Sequence, residues 1–209
     1  WFEIMRSIQY GCGLSCPNDW ENYDTSPTLR LQKIPLIGKL ITRNRVTFPE
    51  GVRLGDITKR LPINGNSVDN LYCSHVLEHL SFQDFHHALQ ESYRVLKPNG
   101  VFRLVMPDLK PLVERYVKSE EADASIAFIR GTLMGIEERP KGFKNRIIQS
   151  AGNHHHLWLW DTASTIEALK NAKFREIRPC KFGDAEREAF SSVEQAGRFN
   201  GAIAIQCTK

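Results

Sequence analysis

Hydrophobic positions along the chain fall into short strand-like runs and one long stretch with helical spacing. The run "SVDNLYCS", residues 67–74, has an apolar centre with polar ends and predicts a buried strand. In the stretch 81–96, apolar side chains recur at intervals of three or four, at Phe82, Phe85, Leu89, Tyr93 and Leu96. That spacing predicts an amphipathic helix with one face on a core.

The ends of this helix are also marked in the sequence. Ser81 is a good N-cap, with Asp84 at the third helical position as in a capping box. The segment "KPNG", 97–100, is predicted to end the helix, because Pro98 cannot continue it and Gly100 suits a left-handed turn. The β-rich run "VFRLVMP", 101–107, is then expected to be a strand that ends at Pro107.

Weaker patterns fill in the rest of the chain. Further strands are predicted at 6–10, 20–23, 51–54, 174–182 and 201–207. Helices are predicted within 108–138 and from Asp161 or Thr162 to Ala172, while 36–43 is either a short helix or part of a flap. Strands and helices that alternate with short links predict an α/β fold with a mostly parallel sheet. The last two strands lack a strong helical pattern between them, so one antiparallel strand is expected.

Composition indicates a single globular domain, 1–209. The 209 residues are 41% hydrophobic and 25% charged, and the net charge of +4 is spread without a dense basic block. No basic stripe with interleaved aromatics is present, so nucleic acid is not expected as a partner. Five cysteines without a C-x-x-C pair favour a reducing, cytoplasmic setting. No apolar run is long enough to predict a membrane span.

Small, acidic and hydrogen-bonding residues follow the predicted strands. They are Gly11-Cys12-Gly13, Asp24, Asp56, Ser74-His75 and Pro107-Asp108. In open α/β sheets, ligands bind outside the carboxyl ends of the strands. Glycines permit close backbone approach and a carboxylate accepts from a ribose diol, so a nucleoside site is predicted there.

The spacing of these residues bears on which nucleoside would bind. A dinucleotide site needs G-x-G-x-x-G and an acid about twenty residues further on. Here the third glycine is absent and Asp24 follows Gly13 by only eleven positions. The short loop therefore argues against NAD and is compatible with a nucleoside that lacks phosphates, such as S-adenosylmethionine.

Three longer segments carry a resemblance to a known family. They are "YGCG…NYD", "GDITKRLPINGNSVDNLYCSHVLEHL" and "ALQESYRVLKPNGVFRLVMPDL". Together they resemble the class I S-adenosylmethionine-dependent methyltransferases, of the small bacterial methyltransferase-domain type similar to the type 11 group. Members of that type are often associated with polysaccharide or glycan gene clusters. The resemblance covers residues 8–110 well and 156–177 more loosely.

The resemblance implies a fold and a set of contacts. The fold is a Rossmann-like, mostly parallel twisted sheet of about seven strands, the last antiparallel, with helices on both faces and an abbreviated first helix. Its cofactor would be S-adenosyl-L-methionine. Gly11, Cys12 and Gly13 would pack on the methionine part, Asp24 would bind the ribose, Asp56 and Ile57 would lie beside adenine, and Ser74 and His75 would line the sulfonium and acceptor side. Glu78 and His79 belong to the same signature and are expected to be structural.

The run "GNHHHLWLWD" raises the question of a metal. Consecutive side chains point in different directions, so His154, His155 and His156 are not expected to bind one ion, and no metal site is predicted. One of these histidines, with Trp158 or Trp160, is expected to face the acceptor. Segments 25–50 and 108–155 would be flap or acceptor-side insertions.

The sequence thus predicts an enzyme that O-methylates a glycan, sugar or small-metabolite hydroxyl. His75 and His155 are the candidate catalytic bases, since an imidazole titrates near neutral pH. A homo-oligomer is possible. A non-catalytic S-adenosylmethionine-binding or regulatory module is the alternative, because no base is unambiguous. A nicotinamide-dependent oxidoreductase ranks third.

Overall fold

In a computed structural model that describes residues 5–35, 47–138 and 155–209, seven strands form one sheet. Their order across the sheet is β3-β2-β1-β4-β5-β7-β6. The strands are β1 Ser7–Tyr10, β2 Glu21–Asp24, β3 Val52–Leu54, β4 Val68–Ser74, β5 Leu96–Pro107, β6 Arg175–Pro179 and β7 Ala202–Thr208.

The described α-helices follow or connect these strands. They are α1 Pro27–Gln32, α2 Phe82–Val95, α3 Leu109–Lys118, α4 Ala124–Thr132 and α5 Thr162–Asn171. Three short 3₁₀ helices span Leu77–His79, Glu188–Ser192 and Ala196–Phe199. Between β1 and β2 the chain makes only turns, so the prediction of an abbreviated first helix is confirmed.

The strand directions produce a crevice at the centre of the sheet. Strand β1 pairs in parallel with both β2 and β4, and β5 continues the parallel set beside β4. Strand β7 is antiparallel to both β5 and β6. The predicted α/β fold with one antiparallel strand is therefore confirmed. The chain runs outward from β1 to β3 and returns to β4, so the strand order reverses between β1 and β4, where ligands bind in such sheets.

The two faces of the sheet are covered differently, as the alternation of side chains along β4 shows. Leu71 and Cys73 belong to the larger core cluster, which includes residues of α2 and α5. Tyr72 points to the opposite face. There it joins Trp20, Phe190 and Val193. On that second face, the described residues include the 3₁₀ helix Glu188–Ser192. The family resemblance implied helices on both faces of the sheet.

The predicted central helix is confirmed, with one correction at its end. Ser81 caps α2, and its Oγ accepts from the Asp84 N–H at 3.2 Å. The left-handed residue after the helix is Asn99, with φ 61°, and the assignment of that role to Gly100 was wrong. Gly100 is needed for a different reason, since an added Cβ would lie 2.8 Å from the Lys97 carbonyl oxygen.

Two other predictions concern the flanks of this central region. The possible helix at 36–43 lies outside the described residues. Earlier in the same segment the structure has α1, which begins after the N-cap Ser26 and was not predicted. Among the helices that the structure describes, none is long and apolar enough to cross a bilayer.

Candidate functional site

The tips of β1 and β2 are joined through the predicted glycine loop. The Cys12 N–H donates to the Tyr23 carbonyl at 3.1 Å, and the Gly13 N–H donates to Asp24 Oδ2 at 2.9 Å. On its other oxygen, Asp24 accepts from the Ser26 N–H at 2.7 Å. The carboxylate therefore fixes both the glycine loop and the start of α1. The predicted pair, glycine loop and acid, is brought together at one end of the sheet.

The two glycines of this loop meet different surroundings. Both have positive φ, 63° at Gly11 and 55° at Gly13, which favours glycine. A Cβ on Gly11 would lie 2.2 Å from Val76 Cγ2, so this glycine is needed for packing against the β4 loop. A Cβ on Gly13 would have no heavy atom within 4 Å. Gly13 therefore faces open space, as a residue that contacts a ligand must.

Asp24 keeps acceptor capacity in spite of its burial. An ionised carboxylate has about four lone-pair directions, and two of them are used by the backbone donors of Gly13 and Ser26. The remaining directions are available to a diol. The ribose role of Asp24 stays a prediction, and its position beside the open face of Gly13 is what that role needs.

Asp56 and Ile57 lie after β3, as predicted. Asp56 Oδ1 accepts from the backbone N–H and the hydroxyl of Thr58, at 3.1 and 2.6 Å, and Oδ2 lies 3.5 Å from Arg30 Nη2. Ile57 is buried in the larger core. This geometry gives Asp56 a turn-forming role and Ile57 a packing role, and their contact with adenine stays a prediction.

The tip of β4 contributes buried hydroxyl groups to a small recess. Ser74 Oγ and the Tyr72 hydroxyl are buried, and neither has a hydrogen-bond partner within the described residues. Both residues line a recess of about 20 Å³ together with Gly11, Cys12 and Arg198. Burial raises the pKa of Tyr72 to about 12, so its hydroxyl stays protonated and can donate.

The size and polarity of these surroundings determine whether a nucleoside cofactor with an amino-acid tail can bind here. A recess of about 20 Å³ holds little more than a water molecule, so an adenosine would lie outside it. The unpartnered hydroxyls at the recess suit a polar tail, and the open face of Gly13 beside Asp24 suits the ribose. The residues present fit such a group.

His75 follows β4 in a left-handed conformation, with φ 54°. Its N–H donates to the Val105 carbonyl at 2.8 Å, and its ring Nε2 lies 3.0 Å from the Arg198 carbonyl oxygen. Ring Nδ1 lies 3.4 Å from Glu78 Oε1. The Glu78 carboxylate raises the pKa of His75, which favours the protonated ring. A base role for His75 stays a prediction, and it requires the ring to lose that proton first.

Glu78 is the centre of a cluster that the sequence reasoning did not assemble. Its side chain is only 1% exposed, and neither carboxylate oxygen has a hydrogen-bond partner among the described residues. One ligand-type atom each from Glu78, His79 and His156 lies within 4.8 Å of the other two. The rings of His79 and His156 meet edge to face, with centroids 5.0 Å apart.

Of the three consecutive histidines, His156 is the one that enters this cluster. His155 instead offers its backbone carbonyl to His79 Nδ1 at 3.1 Å, and it lines a separate groove. The catalytic role of His155 stays a prediction, and His154 lies outside the described residues. A usable signal existed in the adjacent Glu78 and His79, but sequence alone could not tell which later histidine would meet them.

The groove that His155 lines lies along α4. It has a volume of about 1020 Å³, and its described lining includes Ile126, Ile129 and Leu133. His156 connects it to the Glu78 cluster, because the ring of His156 contacts the Thr132 carbonyl at the end of α4. A broad, partly apolar groove thus lies next to the cluster of Glu78, His79 and His156.

Comparison with known proteins agrees with this fold. The methyltransferase domain family matches residues 32–104, and no curated protein matches the chain. A chain of the complex between the Haloferax volcanii Trm112 methyltransferase activator and a putative methyltransferase is 17% identical, with a TM-score of 0.51, over 99% of this chain and 83% of that one. An S-adenosylmethionine-dependent methyltransferase from Archaeoglobus fulgidus is 14% identical, with a TM-score of 0.50, over 98% and 86%.

These matches support the fold and the family at different levels. At such low identity the solved structures show the fold alone, while the family match supplies the predicted type 11 recognition. That match includes Asp56, Ser74 and His75 but begins after Gly11 and Asp24. The individual contacts of the site residues therefore remain predictions.

Proposed function

Since residues 32–104 match the methyltransferase domain family, we propose that the chain acts as a class I S-adenosylmethionine-dependent methyltransferase of the type 11 group and methylates a hydroxyl group of a glycan, a sugar or a small metabolite. Its cofactor is S-adenosyl-L-methionine. The nicotinamide alternative loses its support with the family assignment, and the choice of a hydroxyl acceptor is the part that experiment must test.

The observation that carries the proposal is the pairing of the Gly13 N–H with Asp24 at the tips of β1 and β2, beside the crevice between β1 and β4. It holds a carboxylate with free acceptor capacity next to an open backbone surface. Asp24 would hold the ribose, and Gly11, Cys12 and Ser74 would hold the methionine part. When bound, the cofactor supplies an electrophilic methyl group on a positively charged sulfur.

The residues after β4 and along α4 form the acceptor side of this proposal. The groove along α4 has a partly apolar lining that also includes Arg130, Glu137 and His155, which suits a ligand that combines a carbon skeleton with hydroxyls. Alignment of donor and acceptor supplies much of the rate in such a displacement. His155, or His75 after it loses its proton, would take the proton of the acceptor hydroxyl.

The proposal extends to the organisation and setting of the protein. It treats 1–209 as one domain, with 25–50 and 108–155 as insertions on the acceptor side. The contact of His156 with α4 supports this for the second insertion. A bacterial, cytoplasmic role in polysaccharide biosynthesis follows from the family resemblance, and the free thiols of all five cysteines agree with a reducing compartment.

The test is transfer of a labelled methyl group from S-adenosylmethionine to a panel of sugars, glycans and hydroxylated metabolites, read by mass spectrometry. The proposal expects a mass gain of one methylene on a hydroxylated acceptor. Transfer only to amine or carbon acceptors would contradict the O-methyl assignment. Tight binding of the demethylated cofactor without turnover on any acceptor would favour the non-catalytic alternative.

A further inference from the structure

We propose that Glu78, His79 and His156 form a binding site for a divalent transition-metal ion. Their ligand atoms lie within 4.8 Å of one another, on the 3₁₀ helix after β4 and on the segment that enters α5. This goes against the expectation from the sequence that no metal is bound. The assignment does not depend on the proposed function.

The Glu78 carboxylate is buried and lacks hydrogen bonds within the described part of the chain. The side chain is 1% exposed, and both oxygens lack a hydrogen-bond partner among the described residues. A buried carboxylate without hydrogen bonds is strongly unfavourable unless a positive charge is nearby. The His75 ring, whose protonation Glu78 favours, places Nδ1 3.4 Å from Oε1 without an aligned hydrogen bond, and His79 Nε2 lies 4.0 Å away, so neither ring satisfies both carboxylate oxygens. A metal ion between these groups would.

Backbone carbonyls impose one tautomer on the rings of His79 and His156. His79 Nδ1 lies 3.1 Å from the His155 carbonyl oxygen, and His156 Nδ1 lies 2.8 Å from the Thr132 carbonyl oxygen. A carbonyl can only accept, so each Nδ1 carries a proton and each neutral ring presents a lone pair on Nε2. Metal-binding histidines typically donate their other ring N–H to a carbonyl or carboxylate in this way.

Backbone contacts hold the cluster together. The His156 N–H donates to the Leu133 carbonyl at 3.1 Å, and the Leu157 N–H donates to the Glu78 carbonyl at 2.8 Å. These bonds fix His156 opposite Glu78 without help from the side chains. The ligands are therefore positioned in advance, and only a small inward movement of the side chains is needed to reach bonding distances.

The donor set indicates the class of metal. Two imidazoles and one carboxylate suit Zn²⁺, Fe²⁺, Co²⁺ or Mn²⁺, whereas Mg²⁺ prefers an oxygen shell. In a tetrahedral zinc site, bonds of about 2.0–2.1 Å place neighbouring ligand atoms about 3.3 Å apart. The 4.0 Å between Glu78 Oε1 and His79 Nε2 must shorten modestly to meet this. With three protein ligands, a coordination position stays open.

Cobalt is the probe for the test, because Co²⁺ occupies zinc sites and absorbs visible light. The full-length protein is treated with a chelator, dialysed and titrated with Co²⁺ by absorption and with Zn²⁺ by calorimetry. A single saturable site per chain is expected. Glu78→Gln and His156→Gln should each weaken binding by about tenfold or more, and His87→Gln, at an exposed histidine of α2, should leave it unchanged.

A gain-of-signal variant separates loss of the site from loss of folding. His156→Cys keeps a metal ligand at this position and should add a thiolate-to-cobalt charge-transfer band that the wild-type protein lacks. Circular dichroism and binding of S-adenosylhomocysteine report the fold and the cofactor site independently. Absence of Co²⁺ and Zn²⁺ binding in the folded wild-type protein would overturn the proposal. Equal affinity in wild type, Glu78→Gln and His156→Gln would also overturn it.

Discussion

At the scale of single residues, the site contains two glycines that the sequence presents as equivalent. Gly11 and Gly13 both have positive φ, yet one packs against Val76 and the other faces open space. The first therefore contributes to the free energy of unfolding, and the second leaves room for a ligand. Substitution separates these roles because alanine adds the same Cβ at both positions.

Gly11→Ala is predicted to destabilise the protein by roughly 2–4 kcal/mol, because left-handed strain adds to a clash with Val76. Gly13→Ala should cost only the strain, roughly 1–2 kcal/mol. Urea denaturation of both variants measures the difference. In a Val76→Ala background, Gly11→Ala should lower the free energy of unfolding by less than it does in the wild-type protein, because the clash with Val76 is removed. Equal effects of the two alanines would contradict the close contact of Gly11.

Asp24→Asn is predicted to weaken binding of S-adenosylhomocysteine by about 1–3 kcal/mol, roughly 5-fold to 150-fold, because the amide offers fewer acceptor directions to the diol. Calorimetry measures the affinity, and a thermal scan checks that the contacts with Gly13 and Ser26 still support the fold. The matched control is Asp123→Asn, since Asp123 is exposed and makes no capping hydrogen bond. Unchanged affinity in Asp24→Asn would contradict the ribose assignment.

At the scale of elements, β5 is tied to the connection between β6 and β7 by a buried arginine. The Arg103 side chain is fully buried, with Nε 2.7 Å from Glu194 Oε1 and Nη1 3.0 Å from Asp184 Oδ1. Glu194 also accepts from the Gly183 N–H at 3.0 Å. This network lies on the face of the sheet that is covered by short 3₁₀ helices. We therefore expect it to contribute much of the stability of the segment between β6 and β7.

Arg103→Met should destabilise the protein by about 3–5 kcal/mol, because it leaves the buried Glu194 carboxylate without its counter-charge. Adding Glu194→Gln should restore part of that loss by removing the unpaired charge. Arg178→Met is the matched control, since Arg178 is half-exposed, contacts Asp184 at 3.3 Å and should cost at most about 1 kcal/mol. Comparable unfolding free energies for Arg103→Met and Arg178→Met would refute this account.

The N-terminus of α5 should make stability depend on pH. Asp161 accepts from Ser164 in a capping box, and these hydrogen bonds hold the pKa of Asp161 below its ordinary value. A pKa that is lower in the folded state stabilises above the unfolded pKa of about 3.9, and this contribution disappears as pH falls through the folded pKa.

Asp161→Ala should therefore cost about 1 kcal/mol at pH 7 and less below pH of about 3. Denaturation at several pH values, with Asp123→Ala as a control at the uncapped start of α4, measures this difference. A cost for Asp161→Ala that stays constant over the whole acid range would show that the ionised carboxylate is not responsible.

At the scale of the whole molecule, the parts fixed by local pattern were predictable from the sequence. The helical spacing and the Ser81 cap gave α2 within a residue of its bounds, and the family resemblance gave a mostly parallel sheet of about seven strands with the last one antiparallel. The left-handed role fell to Asn99 because Gly100 is required where the backbone crosses close to Lys97. Both residues can satisfy a turn, so the sequence alone could not choose between them.

The cluster around Glu78 was beyond sequence reasoning for a different reason. Glu78 and His156 are far apart along the chain, and tertiary contacts such as the Leu157 N–H to the Glu78 carbonyl bring them together. Which of three adjacent histidines faces inward depends on that tertiary contact. Local periodicity carries no information about it.

The central claim is that the tips of β1, β2 and β4 bind an adenosine cofactor that carries a sulfur-containing tail. Calorimetric titration of the folded, full-length protein with S-adenosylhomocysteine tests it most directly, with NADH as the comparison ligand. Saturable binding and a raised melting temperature are predicted for S-adenosylhomocysteine, and neither for NADH. Absence of heat and of any thermal shift with S-adenosylhomocysteine would contradict the account.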